Sequence, residues 1–167
     1  MRKSPFCVAA IILVLAGCAT TPQTREEFKA WTKDHTTMGL YDTYTVSRRF
    51  EDVVASLQNK WQQCYNLNVT TTRTSGGMTT SRYRDTFHPQ SSKVNNALIE
   101  MTLQMTTQGM VMLNKVPEGG EYKVALDVQR APQNKAKLAW YSYVPGGWRD
   151  AWELNKQWAD GKDAPCQ

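Results

Sequence analysis

The stretch FEDVVASLQNKWQQC, residues 50–64, carries the clearest structural signal in the chain. Its apolar side chains recur at i, i+3, i+4, i+7, i+11 and i+14, the spacing that places them on one face of an α-helix. Ser47 precedes the stretch as an N-cap residue, and Glu51 and Asp52 lie in the first turn, where the helix dipole favours acidic side chains. The sequence therefore predicts an amphipathic helix whose apolar face packs against another element.

The segments that follow this helix predict a sheet as its packing partner. Residues 121–129 alternate apolar and polar side chains, the two-residue period of a strand with one buried face. Ser75-Gly76-Gly77 separates two threonine-rich segments and predicts a hairpin turn. A second helix is expected at 148–159, after the break at Pro145-Gly146-Gly147. Strands are expected at 41–46, 67–73, 81–87, 97–106, 121–129 and 137–144, with residues 110–116 a candidate for a further one.

The order strand, helix, antiparallel strands, helix is typical of an α+β fold. We expect an antiparallel sheet of about five to six strands packed against two helices as a two-layer sandwich. This topology resembles the helix-grip arrangement of envelope lipoproteins such as the repeated domains of BamC, a component of the outer-membrane barrel-assembly machine. The resemblance lies in the topology and not in motif residues.

The N-terminus has the organisation of an export signal. Arg2 and Lys3 precede the uncharged run Phe6 to Leu15, which is too short to span a bilayer, since spanning needs about 20 apolar residues. Leu15-Ala16-Gly17-Cys18 follows, and this stretch resembles the lipobox of bacterial lipoproteins. The resemblance implies that a diacylglycerol is attached to Cys18 and that the chain is cleaved before it. An ordinary secretory signal followed by an incidental cysteine is the alternative.

The resemblance also implies a location and a domain organisation. Ala19 follows Cys18 where an inner-membrane protein of enterobacterial type has Asp, so we expect a lipid anchor in the outer membrane and a domain facing the periplasm. The inner membrane and exposure on the cell surface stay open. The expected organisation is a signal peptide at 1–17, a lipidated tether with a short amphipathic helix at 18–40 and a single α+β domain at 41–167.

The helix expected within the tether has two interpretations. Thr24 is a suitable N-cap, and Phe28 and Trp31 lie three residues apart on one face. The helix either docks on the domain or lies at the membrane interface, with Trp31 as its aromatic anchor.

The net charge indicates which partners to expect, and the cysteine content indicates a disulfide. Removal of residues 1–17 takes away Arg2 and Lys3, so the formal charge falls from +5 to +3 and gives no reason to expect a nucleic acid partner. Cys7 leaves with the signal and Cys18 accepts lipid, which leaves Cys64 and Cys166. In an oxidising compartment such a pair is expected to form a disulfide, whereas a two-cysteine metal site would need further ligands near them.

Three groups of side chains are candidates for binding. Trp140, Tyr141, Tyr143 and Trp148 surround a Pro-Gly-Gly turn, and aromatic residues on both faces of one strand cannot all enter one core, so some are expected to face a partner or a glycan. Arg82 and Arg84 lie on one face of a strand and suit phosphorylated lipid headgroups or acidic partner residues, or simply form a solvated face. The methionines at 101, 105, 110 and 112 either line an adaptable groove or fill the core.

The sequence does not carry the motifs of common catalytic sites. His35 is in the tether and His88 is expected in a loop before Pro89, and neither has a ligand-like partner at helical or strand spacing. We therefore expect no catalytic residues, no metal and no cofactor. The predicted function is a non-catalytic binding or envelope-assembly accessory, with the membrane bound through the lipid on Cys18 and an envelope protein as partner. A lipid- or glycan-binding carrier is the alternative, followed by an envelope enzyme.

Overall fold

The computed structural model describes residues 21–75, 78–109, 115–144 and 147–166, with the backbone alone for residues 73–75 and 78–81. In chain order the elements are α1 (Arg25–Asp34), β1 (Gly39–Val46), α2 (Phe50–Tyr65), β2 (Asn68–Ser75), β3 (Met78–Asn95), β4 (Leu98–Gln108), β5 (Glu121–Ala131), β6 (Lys135–Tyr143) and α3 (Trp148–Ala159). None of the helices in these ranges combines the length and the apolar character needed to cross a bilayer.

The six strands form one antiparallel sheet in the order β1-β6-β5-β4-β3-β2. The expected α+β class and antiparallel sheet are confirmed. The simple two-layer sandwich is not, because the sheet is curled into a half-barrel and three helices, not two, pack against it. Strands β2 to β6 are paired in chain order as a meander. Strand β1 pairs with β6 and forms the other edge of the sheet.

The main core lies between the sheet and helices α2 and α3. The apolar stripe of α2, from Phe50 to Cys64, is buried there as the sequence predicts, with Val54 partly buried. The helix begins directly after Arg49, so Ser47 is not its N-cap residue. The tryptophans of this core are buried with their indole N–H groups bonded: Trp61 donates to Asn155 Oδ1 at 2.6 Å and Trp152 donates to Asp42 Oδ2 at 2.7 Å. Large aromatic side chains therefore fill the core without leaving a polar group unpaired.

Helix α1 covers the opposite face of the sheet. Phe28 has no exposed surface and packs with Ala125, Ala139 and Tyr141. The tether helix is therefore docked on the domain, which is the first of its two interpretations. Thr24 caps it as expected, by accepting a hydrogen bond from the Glu27 amide at 3.2 Å.

A buried group of charges joins α1 to the sheet. Asp127, on β5, is 4% exposed, and its two carboxylate oxygens lie 2.5 Å from Arg25 Nη2 and 2.9 Å from Lys29 Nζ. Arg25 also reaches Glu100 Oε1 at 3.2 Å and donates from Nε to Thr102 Oγ1 at 3.1 Å. A carboxylate at this depth is tolerated because two cations and a polar shell surround it.

Strand β3 is longer than the sequence indicates, and this corrects the placement of one histidine. His88 and Pro89 were expected in a loop, but both lie within β3, opposite Gln104 and Leu103 of β4. Proline is accepted there because its missing N–H lies on the edge that extends beyond the end of β2, where no ladder bond is lost. The Pro89 carbonyl on this edge accepts a hydrogen bond from Gln62 of α2 at 3.2 Å.

The further strand suggested for residues 110–116 falls mostly outside the described residues. Lys115 and Val116 are described, and they are not in a strand. Of the four methionines in question, Met101 is buried in the main core and Met105 is half-buried, while Met110 and Met112 are outside the described residues.

Cys64 and Cys166 are joined by a disulfide, as expected, with their Cα atoms 5.2 Å apart. Cys64 is buried near the end of α2, whereas Cys166 is exposed. The bond therefore fastens the C-terminal segment beyond α3 to the core.

Replacing Asp127 by Asn is expected to lower the free energy of unfolding by about 3 kcal/mol, the lower end of the range for breaking a buried ion pair. Arg25 and Lys29, both largely buried, lose the carboxylate they share and keep only Glu26 and Glu100 as acidic partners. Urea unfolding of the purified protein measures the change. Asp34→Asn, at the exposed end of α1, is the control and should alter stability by less than about 0.5 kcal/mol. Equal effects of the two variants would contradict a stabilising role for the charge group.

Loss of the disulfide is expected to lower the free energy of unfolding by up to about 4.7 kcal/mol, the chain-entropy value for a loop of roughly 100 residues. Cys166→Ser removes the bond without opening a cavity, whereas Cys64→Ala also truncates a buried side chain and should cost more. Reductant should destabilise the wild type and leave both variants unchanged. Two free thiols in the exported protein, found by mass analysis, would show that the bond does not form.

Candidate binding site

An apolar pocket of about 190 Å³ opens between the sheet and the two helices that cover the main core. Its walls come from the end of α2, the start of β2, the middle of β3 and β4, and the first turns of α3. The lining residues are Cys64, Tyr65, Leu67, Phe87, Leu103, Gly147, Trp148, Ala151 and Leu154. We call this the apolar pocket.

The end of α2 and the start of α3 form two sides of the pocket rim. Helix α2 ends at Tyr65 and β2 begins at Asn68, so the chain turns sharply and leaves Leu67 at the rim. On the other side, Gly147 begins α3 with φ +79°, and a Cβ added there would meet no atom within 4 Å. Trp148 follows it and packs against Phe87, with ring centroids 6.3 Å apart.

Hydrogen bonds between buried side chains hold the wall on the α2 side rigid. Asn155 of α3 is fully buried; it donates to the Tyr65 hydroxyl at 2.8 Å and accepts from Trp61 at 2.6 Å. Burial raises the pKa of Tyr65 well above its usual value near 10. The phenol is therefore neutral at every physiological pH and acts as a structural group.

Strand β2 begins beside the pocket and is one of the two edge strands of the described sheet. The Phe87 amide donates to the Leu67 carbonyl at 2.8 Å, so in the alternating antiparallel pattern the backbone groups of Asn68, Thr70 and Thr72 point away from β3. Leu67 and Val69 are 41% and 43% exposed along this edge. Apolar side chains beside unpaired backbone groups are the arrangement to which an extended segment of a partner can add as a strand.

A wider depression, of about 580 Å³, lies at the other end of α2, and its lining mixes apolar side chains such as Phe50 and Ile99 with polar and charged ones. Its Glu51 and Arg130 side chains pair with each other at 2.5 Å. The hydrogen bond from Arg130 holds the pKa of Glu51 below its usual range. This depression lacks the apolar concentration of the smaller pocket, so we consider the pocket the better candidate.

The aromatic residues that the sequence singles out do not form one surface. Trp140 is fully buried in the main core, and Tyr141, pointing the other way, is 4% exposed beneath α1. The reasoning that one core cannot hold both is correct, but the second face of β6 is covered by a helix of the same chain. Trp140 and Tyr141 are thus not accessible to a partner or glycan in this structure.

Of the other two aromatic residues, one belongs to the pocket. Tyr143 is half-buried on the α1 side, with its ring centroid 4.9 Å from that of Trp31. Trp148 is half-buried in the wall of the apolar pocket. Trp148 is thus the one residue of the four that lines the pocket. Leu67 and Phe87, which line it too, lie about 60 to 80 residues away in sequence and could not be found from the sequence around Trp148.

The arginines and the histidines that the sequence singles out lie apart from the pocket. Arg82 and Arg84 are exposed on β3, paired in register with Thr72 and Thr70. His35 ends α1 and stacks on Trp31 at 4.6 Å, and His88 lies 3.1 Å from Thr106 Oγ1. Within the described ranges, no three acidic, histidine or cysteine side chains come together in a way that could hold a metal ion. Cys18 lies outside the described residues.

The sequence matches no protein-family model and has no significant similarity to a protein of curated function. A comparison of structures finds a likeness to the crystal structure of a hypothetical protein from Helicobacter pylori, with 15% sequence identity. The match covers 74% of this chain and 84% of that chain, with a TM-score of 0.36. A likeness of this size supports no conclusion on fold or function.

Stability is expected to fall as the pH rises above 10, because burial raises the pKa of Tyr65 and brings that of Tyr141 to about 12. The unfolded chain then loses its phenolic protons first, so the contribution of these groups is complete below pH 10 and is lost as the pH rises through the folded-state pKa values. Urea unfolding between pH 8 and 12, about two units on either side of the unfolded-state pKa of tyrosine, measures the decline. Tyr65→Phe should flatten the decline; an unchanged slope would contradict the assignment.

Proposed function

We propose that this protein is a lipid-anchored periplasmic lipoprotein of the outer membrane that binds another envelope protein and has no catalytic role. The anchor part of the proposal rests on the sequence Leu15-Ala16-Gly17-Cys18. The binding part rests on one observation above all: the apolar pocket adjoins the free edge of β2. An edge strand supplies affinity through backbone hydrogen bonds, and a neighbouring pocket supplies specificity through one buried side chain.

The size of the pocket favours a protein partner. Pockets that enclose small molecules usually have volumes of about 300 to 1,000 Å³, whereas this one has about 190 Å³. Such a volume suits one apolar side chain of a partner, and the aromatic wall at Phe87 and Trp148 is typical of the sites where interfaces concentrate their binding energy.

The lipid anchor would strengthen binding at this small site. A single acyl chain holds a protein only marginally, but the two or three chains of a lipoprotein hold it stably, since each buried CH₂ contributes about 0.8 kcal/mol. Confinement to the membrane then raises the effective concentration of the domain near a membrane-bound partner. A small pocket and an edge strand are sufficient under these conditions.

A carrier of lipid or glycan is the second candidate, and the apolar lining of the pocket is the observation in its favour. A carrier should copurify with its ligand, and added ligand should raise the melting temperature by mass action. The two candidates thus differ in what is recovered with the protein.

The test is a cross-linked pull-down from detergent-solubilised membranes. Leu67→Gln with Val69→Gln is expected to reduce recovery of the protein partner about tenfold, as loss of a central apolar contact typically costs more than 1 kcal/mol. Met38→Gln with Val94→Gln is the matched control, because these side chains are 52% and 53% exposed away from the pocket. Equal recovery from the two double variants would refute the binding surface, and a preparation that carries lipid or glycan alone would favour the carrier.

The anchor has its own test. Mass analysis of the mature N-terminal peptide should find acyl chains on Cys18, and Cys18→Ser should abolish them and move the protein out of the membrane fraction. An unmodified Cys18 in the exported wild type would refute the anchor, whatever the pull-down shows.

A further inference from the structure

We propose that the polar face of strands β2, β3 and β4, with Arg82 and Arg84 at its centre, rests on the anionic phospholipid headgroups of the membrane that holds the protein. The inference deepens the proposed function and rests on the lipid anchor at Cys18. It assigns opposite roles to the two sides of the sheet.

The register of the strands defines this polar face. Thr72 pairs with Arg82 and Thr70 pairs with Arg84, and residues paired in this way point to the same side of a sheet. Their neighbours on the other side of the sheet, such as Phe87, pack towards α2 and α3. The polar face comprises Thr70, Thr72, Arg82, Arg84, Thr86 and His88 on β2 and β3, and it continues onto β4.

Helix α1 lies on the same side of the sheet as the polar face. Arg25 of α1 donates to Thr102 Oγ1, and Thr106, two strand periods further along β4, lies 3.1 Å from the ring of His88. Helix α1 covers the β5 and β6 part of this side, while Thr70, Thr72, Arg82 and Arg84 on the β2 and β3 part are exposed. The chain segment that leads to the anchor therefore leaves from this side.

The chain is held to the domain almost up to the anchor. The Gln23 side chain donates to the carbonyls of Thr21 and Lys115 at 2.8 and 2.9 Å, and the Gln23 amide donates to Glu27 at 2.7 Å. Only Ala19 and Thr20 lie between Cys18 and Thr21, and the three residue-to-residue steps span at most about 10 to 11 Å when fully extended. A lipid on Cys18 thus holds the α1 side of the domain at the membrane surface.

The charge of the polar face suits that surface. In residues 68–72, 82–90 and 102–108 no carboxylate occupies a position on this side, whereas both arginines are exposed. Glu100, further along β4, is paired with Arg25, and the exposed Glu26 of α1 is paired with Arg25 and Lys29. Gln104 donates to the backbone carbonyl of Glu118 at 2.9 Å. Guanidinium groups bind phosphate through paired hydrogen bonds, and an anionic bilayer attracts each basic residue that reaches it.

The arrangement leaves the apolar pocket on the far side of the sheet, clear of the membrane. Tyr65, Trp148 and Leu154 line it from α2 and α3. The domain therefore presents its binding site to the periplasm while its opposite side lies on the lipid.

Quenching of a fluorescent label measures the orientation. The mature lipidated protein is reconstituted in vesicles of phosphatidylcholine and phosphatidylglycerol that contain a lipid with a quencher on its headgroup. Labels are attached at Thr72→Cys on the polar face or at Gln157→Cys on α3, both at exposed positions. We expect several-fold stronger quenching at position 72 than at 157, and a smaller difference at high salt, which screens exposed charges.

Arginine variants then test whether Arg82 and Arg84 produce this orientation. Arg82→Gln with Arg84→Gln should lower the ratio of docked to undocked protein about fivefold for each charge removed, so quenching at position 72 should fall. Arg49→Gln with Lys162→Gln removes two exposed charges from the α2 and α3 side and should leave it unchanged. Equal quenching at both positions, or no response to the arginine pair, would overturn the inference while the anchor stands. Failure of the wild type to float with vesicles would instead refute the anchor and, with it, this inference.

Discussion

Burial of strands β5 and β6 on both faces is the constraint on which the rest of the structure depends. Leu126 and Trp140 point into the main core, while Ala125 and Tyr141 point to the other side, and all four are buried. A strand that is apolar on both faces needs a covering layer on each. Helices α2 and α3 provide one layer and α1, through Phe28, provides the other. Helix α1 is thus part of the domain, and Phe28 is not available to a membrane, whereas Trp31 is half-buried.

The charge group around Asp127 fixes where α1 lies. A small apolar contact such as that of Phe28 is non-directional and would tolerate several positions of a ten-residue helix. Ion pairs from Arg25 and Lys29 to one buried carboxylate are directional and favour a single position. Because replacing a buried ion pair by apolar residues is often neutral for stability, we assign to this group mainly the selection of one arrangement. That selection also determines where the chain leaves towards Cys18.

Local periodicity predicted much of the fold, and long-range packing accounts for what it missed. The stripe of α2 and the alternation of β5 depend on near neighbours in sequence, so both were found. The burial of β6 on its second face depends on a helix about 110 residues away, so local reasoning assigns Trp140 and Tyr141 to a binding surface. A signal was present, since Asp127 stands within an apolar strand and Arg25 and Lys29 are spaced i, i+4 on a helix. The pocket had no comparable signal beyond Trp148, because its walls come from five elements that lie far apart in sequence.

The disulfide joins the C-terminal segment to the wall of the apolar pocket. Cys64 lines the apolar pocket, and its bond to Cys166 ties the C-terminal segment to that wall. The opening is thus bordered by α2, whose end is covalently fastened, and by the free edge of β2. A binding site with one fastened wall loses little conformational freedom when a partner enters, which lowers the entropic cost of association. In the proposed arrangement, a short anchor on one side and a rigid pocket on the other allow a site of about 190 Å³ to hold a partner at the membrane.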